Sequence, residues 1–175
     1  MKSILDSVEL SLQTKNWYAA LLVALTLPDV AGKIEYPGEA SFSKRYADWF
    51  EKYCGSKYIF DAPSAKFETL SLSGFDCYAL KCAFLHEVNS EVSNEKKRQV
   101  SEDFIFISPL PTCNVIHRHY INKKLQLQVD IFVRDILNGI RAWFLDIAAD
   151  FQKQGTSNKL REFMNFNSLN PLTSL

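Results

Sequence analysis

Apolar positions Ile4, Leu5, Val8 and Leu12 recur at spacings of three and four and predict an amphipathic helix from Ile4 to about Gln13. Thr14-Lys15-Asn16 interrupts that pattern, and Asn16 is the expected cap of a second helix opening at Trp17. From Ala19 to Leu25 this second helix is apolar nearly all round, which implies burial on most sides. Pro28 donates no backbone hydrogen bond, so the helix is expected to stop or kink there, with one further turn over Asp29 to Lys33. Gly32 and the pair Pro37-Gly38 then mark a loop. A third helix begins at Ser41 or Ser43 and carries Tyr46, Trp49, Phe50 and Tyr53 on one face.

Gly55 to Leu72 has no clear period beyond a candidate short strand at Tyr58-Ile59-Phe60; a connection of that length is functional or holds structure of its own. Ser73-Gly74-Phe75-Asp76 resembles a capping box, with Asp in place of the usual Glu, and starts a fourth helix running to about His86. Asn89 to Gln99 is dense in charge and reads as a solvated connector or helix face. At Asp103 the pattern becomes β-prone: Phe104 to Ile107 is halted by Pro109 and Pro111. Val115 to Ile121 and Leu125 to Val129 then alternate around Asn122-Lys123, predicting three antiparallel strands with a tight second turn. A long helix follows from about Asp130 to Phe151, ended by Gly155, and then a short helix near Lys159 to Phe166 with a frayed tail.

These elements imply an α+β, mainly α domain: four or five helices with a small antiparallel β-meander (about 103–129) before the long C-terminal helix. The expected organisation is a single domain over residues 1–152 and an extension over 153–175 that is partly helical or disordered. Composition supports one packed core, with 47% hydrophobic and 13% aromatic residues. Twenty basic and twenty acidic residues cancel, so no global field draws the chain to nucleic acid or an anionic bilayer, and any such binding needs a local patch. Four scattered cysteines (Cys54, Cys77, Cys82, Cys113) and the early acidic residues Asp6 and Glu9 favour a reducing, cytoplasmic setting. The apolar run Trp17 to Leu27 falls short of the about 20 residues a membrane span needs, so no membrane is expected as a partner.

Candidate chemistry centres on Lys81-Cys82-Ala83-Phe84-Leu85-His86-Glu87, where a cation and an imidazole meet at the expected end of a helix. Unpaired carbonyls at a helix C-terminus favour imidazolium, and an imidazole titrating near neutrality suits proton transfer at a ribose 2′-hydroxyl. A nearby cation would stabilise charge building on the phosphate. On one straight helix Lys81 lies about 140° from His86, so convergence requires the helix to end at His86 or a second copy to supply one group. The plainer reading is a helix-end histidine packed on an apolar stripe and a surface lysine.

The stretch Asp76 to Glu87 resembles the helix of HEPN (higher eukaryotes and prokaryotes nucleotide-binding) domains, whose signature is an Arg, four to six residues, then a His near a helix end. Asn16-Trp17-Tyr18-Ala19-Ala20, Leu27-Pro28-Asp29 and Lys44 to Phe50 resemble segments of uncharacterised bacterial and prophage proteins. The resemblance implies a helical bundle, a homodimer, and a metal-independent ribonuclease in toxin–antitoxin or antiphage defence, with an antitoxin or another protein as partner. It assigns catalysis to His86 and places Lys81 where the signature has Arg. Lys81 keeps the charge but not the planar fork that grips a phosphate. Some relatives of this kind have lost catalysis, and the competing expectation is a non-catalytic interaction module pairing through its apolar helices.

His117-Arg118-His119-Tyr120, with Lys123 and Lys124 across the turn, forms a small basic and aromatic ribbon suited to phosphates and bases, and these six are the candidate RNA-binding residues. The alternative is a solvent-facing hairpin whose charges discourage edge pairing. Cys113, His117 and His119 fall on one strand face if the strand is regular, but three ligands without a fourth make a weak zinc pattern, and no metal is expected. Ser41-Phe42-Ser43-Lys44 matches S-x-x-K without its companion motifs and reads as a helix cap. The chain has no P-loop, GxGxxG or HExxH motif, so no cofactor is expected.

Overall fold

The computed structural model describes residues 2–59, 71–85, 99–100, 102–111, 115–122 and 124–154. In chain order these form α1 (Lys2–Gln13), α2 (Trp17–Glu35), α3 (Phe42–Tyr53), a 3₁₀ turn (Gly55–Lys57) and α4 (Gly74–Leu85). Strands β1 (Phe104–Ile107), β2 (His119–Ile121) and β3 (Lys124–Gln128) follow, then α5 (Val129–Gln154). The architecture is α+β and mainly helical, with the small sheet set before the last long helix.

Helices α2, α3 and α4 start where their capping residues direct. Asn16 accepts the Ala19 amide at 3.3 Å, and Ser41 accepts the Lys44 amide at 3.2 Å. Ser73 and Asp76 cap α4 reciprocally: the Asp76 amide donates to Ser73 Oγ at 3.1 Å, and the Ser73 amide to Asp76 Oδ2 at 3.2 Å. α1 ends on paired bonds from Lys15 to Leu12 and from Asn16 to Ser11, with Lys15 at φ 58° in the left-handed region that glycine usually fills.

α2 differs from expectation. It continues through Pro28 to Glu35 instead of stopping there. Proline keeps a helical φ, and its cost of about 3 kcal/mol is offset by burial on both sides of it, worth about 1.5–3 kcal/mol per large aliphatic side chain. Leu25, Leu27, Ala31 and Gly32 are all buried. The expected loop residue Gly32 is thus a helix-packing residue: a Cβ there would lie 2.6 Å from the Arg45 carbonyl oxygen of α3. Gly74 brings α4 equally close, since its Cβ would fall 2.5 Å from the Ala47 carbonyl oxygen, and its amide donates to Glu51 Oε1 at 2.6 Å.

α3 therefore packs closely against α2 and α4 and also against α5. Its Tyr46, Trp49 and Phe50 are fully buried. Ring contacts run on from there: Phe50 meets Tyr58, Tyr58 meets Phe132, Phe132 meets Phe106, Phe106 meets Phe84, and Phe84 meets Tyr18. That series ties α3, α5, β1, α4 and α2 into one core. Among the described residues α2 is the helix long and apolar enough to cross a membrane, yet it packs against α1, α3, α4 and α5 as the bundle's core helix.

The sheet is mixed, not an antiparallel meander. β3 is central, pairing antiparallel with β2 (Ile121 opposite Lys124) and parallel with β1 (Phe104 opposite Leu125). Pro109 and Pro111 rule out a tight hairpin after β1, so the chain leaves the sheet and re-enters on the far side of β3. The tight second turn is present, with Asn122 at φ 52° as a primed hairpin turn requires at its first central position. Leu125 and Leu127 face the core. The expected strand at Tyr58 and Ile59 is absent; Tyr58 closes the 3₁₀ turn by donating its amide to the Gly55 carbonyl. Phe60 and most of the 55–72 connection, the charged stretch before Gln99, and the expected helix over 159–166 lie outside the described residues.

The α2–α3 contact makes a direct prediction. Gly32→Ala should destabilise the protein by about 1–3 kcal/mol, as overpacking against a backbone carbonyl does. Gly38→Ala, where a Cβ meets nothing within 4 Å, should stay within about 0.5 kcal/mol of wild type in urea unfolding.

Candidate functional site

Lys81 is not a surface charge. α4 is buried on almost every side, with Cys77, Tyr78, Ala79, Leu80 and Cys82 in the core, and the Lys81 side chain is only 5% exposed. Its Nζ donates to Asp29 Oδ2 at 3.1 Å and sits 4.5 Å over the Tyr78 ring centroid. Asp29 is 35% exposed, so of the two groups the carboxylate is the one facing water. Asp29 also lies on the part of α2 beyond Pro28, which the expected early stop would have displaced.

The ammonium points away from the C-terminal end of α4. That end is placed by Phe84, whose ring lies 5.1 Å from Tyr18 at the start of α2. Asp29 lies eleven residues further along α2, roughly 16 Å of helix rise away. Side chains on a helix lean toward its N-terminus, which sends the long lysine arm the same way. α4 is helical to Leu85, and His86, the next residue, lies outside the described residues.

The basic and aromatic ribbon divides in two. His119 and Tyr120 on β2 are exposed, Lys124 on β3 is half-buried, and Arg118 is exposed at φ 59° with its guanidinium donating to the Lys57 carbonyl. Lys123 lies outside the described residues. His117 instead turns inward: its side chain is 6% exposed, with the ring edge-on to Tyr58 at 5.9 Å and Nε2 4.0 Å from Asp135 Oδ2. Because His117 is inside and His119 outside, the two imidazoles do not share a ligand face, and Cys113 lies outside the described residues. Among the described residues no cluster of three or more His, Cys, Asp or Glu side chains could hold a metal ion.

Asp135 organises a polar cluster that periodicity alone does not reveal. It accepts from Lys57 Nζ at 2.6 Å and from the Tyr58 hydroxyl at 3.0 Å. Burial first, and the Asp135 carboxylate second, push the Tyr58 phenol far above its ordinary range, so it stays a donor. Burial lowers His117 below the ordinary histidine value, outweighing the attraction of Asp135. A second pin joins three helices at Glu35, which accepts from Lys52 Nζ at 2.5 Å and from Trp143 Nε1 at 3.0 Å. Neither acid was marked by the helical pattern: the inward stripe of α5 runs through Phe132, Val133, Ile136 and Leu137 and passes over Asp135, and Glu35 lies beyond the expected end of α2.

The three thiols among the described residues are structural. Cys54, Cys77 and Cys82 are buried, and desolvation pushes Cys77 up to about 12, where it is not a thiolate at neutral pH. Ser41 and Ser43 hydrogen-bond each other at 3.0 Å at the start of α3, as capping residues and not as a nucleophile with its base. No family model, curated protein or solved structure matches the chain.

The Lys81–Asp29 pair should respond asymmetrically to substitution. Asp29→Asn takes the carboxylate from a buried ammonium and should cost about 2–3 kcal/mol, below the 3–5 kcal/mol of fully buried pairs because Asp29 is partly hydrated. Lys81→Met leaves a carboxylate that water reaches and should cost less than about 1.5 kcal/mol by the same denaturation assay.

Proposed function

We propose that this chain is a HEPN-like, RNA-directed domain of a bacterial or prophage defence system that contacts RNA through its β2–β3 hairpin. The observation that carries the reading is the exposure of His119 and Tyr120 on an edge strand, flanked by exposed Arg118 and half-buried Lys124. An aromatic ring among cations offers a stacking surface for a base and charge for its phosphates, which a chain of zero net charge needs locally. Support for the family assignment comes from the Lys81-to-His86 spacing at the end of a helix within a helical bundle. Any accompanying cleavage belongs to His86, acting on the 2′-hydroxyl proton, with Lys81 stabilising the phosphate.

The buried pairing of Lys81 with Asp29 favours a second reading at that position, an interaction module without catalysis. A neutralised ammonium directed into the bundle grips no phosphate unless it first leaves Asp29. In that reading the chain pairs with itself or with another protein.

Fluorescence anisotropy with mixed single-stranded RNAs at fixed salt tests the hairpin. Tyr120→Ala should weaken binding about tenfold, within the range for loss of one base-stacking ring, and Lys124→Ala should reduce the salt dependence. Equal affinities for wild type and both variants would remove the hairpin as the contact. Cleavage in EDTA that His86→Ala abolishes would establish the enzyme. Absence of RNA binding, together with a light-scattering mass of two chains, would establish the interaction module.

A further inference from the structure

His117 forms a junction whose geometry has a chemical consequence. Its Nδ1 accepts the backbone amide of Gln128 at 3.2 Å, where β3 passes into α5. A nitrogen that accepts carries no proton, so the neutral ring holds its proton on Nε2. Nε2 is buried without a hydrogen-bond partner and faces Asp135 Oδ2 across 4.0 Å. Gln128 is itself fixed: the Ile116 amide donates to its Oε1 at 2.9 Å, and its Nε2 donates to Asp130 Oδ1 at 2.8 Å. The Arg118 amide donates to the Gln126 carbonyl at 2.7 Å. The segment 115–118 is thus fastened to the β3–α5 junction, and β2 follows directly from it.

Protonation of His117 places an N–H on Nδ1, aimed at the N–H of Gln128. Two donors cannot bond, so the imidazolium and this junction exclude each other. The charged groups around the ring do not reverse that outcome. Asp135 and Asp130 of α5 attract a proton, while Arg118 and His119 of its own segment oppose it, and burial opposes it most. Asp135 is already shared between Lys57 and Tyr58 of the 3₁₀ segment.

We propose that His117 is an acid-released latch, in which proton uptake at Nδ1 detaches segment 115–118 from the β3–α5 junction and frees the β2 edge of the sheet. The latch rests on the His117–Gln128 geometry and not on the RNA reading. The sign follows from linkage: the folded ring binds its proton less readily than the unfolded one, so the unfolded state gains protons first as pH falls. Stability is therefore complete above the ordinary histidine value of about 6.5 and declines as pH drops below it, by up to about tenfold in the folded-to-unfolded ratio per pH unit.

Nitrogen-15 NMR of the full chain between pH 8 and 5, read together with exchange of the Gln128 amide, tests the latch, and His117→Gln identifies the ring signals. The expected result is an Nε2–H ring at pH 7.5, with Gln128 protection falling in step with protonation below pH 6.5. The non-titrating side chain of His117→Gln should remove that step. Where this variant does not fold, the wild-type ring and amide signals decide alone. A ring protonated on Nδ1 at pH 7.5, or Gln128 protection that survives protonation of His117, would overturn the latch.

Discussion

The fold depends on α3 approaching α2 and α4 at backbone distance while also packing on α5. Gly32 and Gly74 make this possible because neither carries a Cβ that would meet an α3 carbonyl. With the helices this close, Tyr46, Trp49 and Phe50 are sealed from water, and the aromatic contacts that begin at Phe50 reach the sheet and α5. The 3₁₀ turn after α3 inherits its position from the same packing. It then delivers Lys57 and Tyr58 to Asp135.

Burial on this scale makes an unpartnered inward charge costly, and the partners that the buried charges take determine what the chain can do. Lys81 meets Asp29, Glu35 meets Lys52 and Trp143, and Asp135 meets Lys57 and Tyr58. Such pairs cost desolvation and repay it only with good geometry, so they fix the arrangement of helices more than they stabilise it. A lysine held this way is a poor starting point for phosphate chemistry. The exposed part of the ribbon, by contrast, leaves His119 and Tyr120 in contact with solvent.

Local signals in the sequence were legible wherever the physics is local. Asn16, Ser41 and the Ser73–Asp76 box cap the helices they were expected to cap, and the Asn122 turn closes its hairpin. What could not be read was decided by contacts distant in the chain. Pro28 is tolerated where α3 meets the helix on both sides of it, through Tyr46 at the Leu25 carbonyl and Arg45 at Gly32, and the prolines after β1 exclude a hairpin without saying that β1 pairs parallel with β3. The same holds for the site: the spacing put Lys81 and His86 about 140° apart around a helix and left their convergence to the helix end or a second copy, whereas the partner of Lys81 is Asp29, fifty-two residues earlier. His117 alternates correctly for an outward ribbon and turns inward because Gln128 and Tyr58 receive it.

Native-state hydrogen exchange measured residue by residue over increasing denaturant tests the central role of α3 most directly. The amides of Tyr46, Trp49 and Phe50 should exchange only through global unfolding, with free energies matching the whole protein's. Exchange of these amides through a smaller opening, while the α2 amides on either side of Pro28 stay protected, would contradict the account.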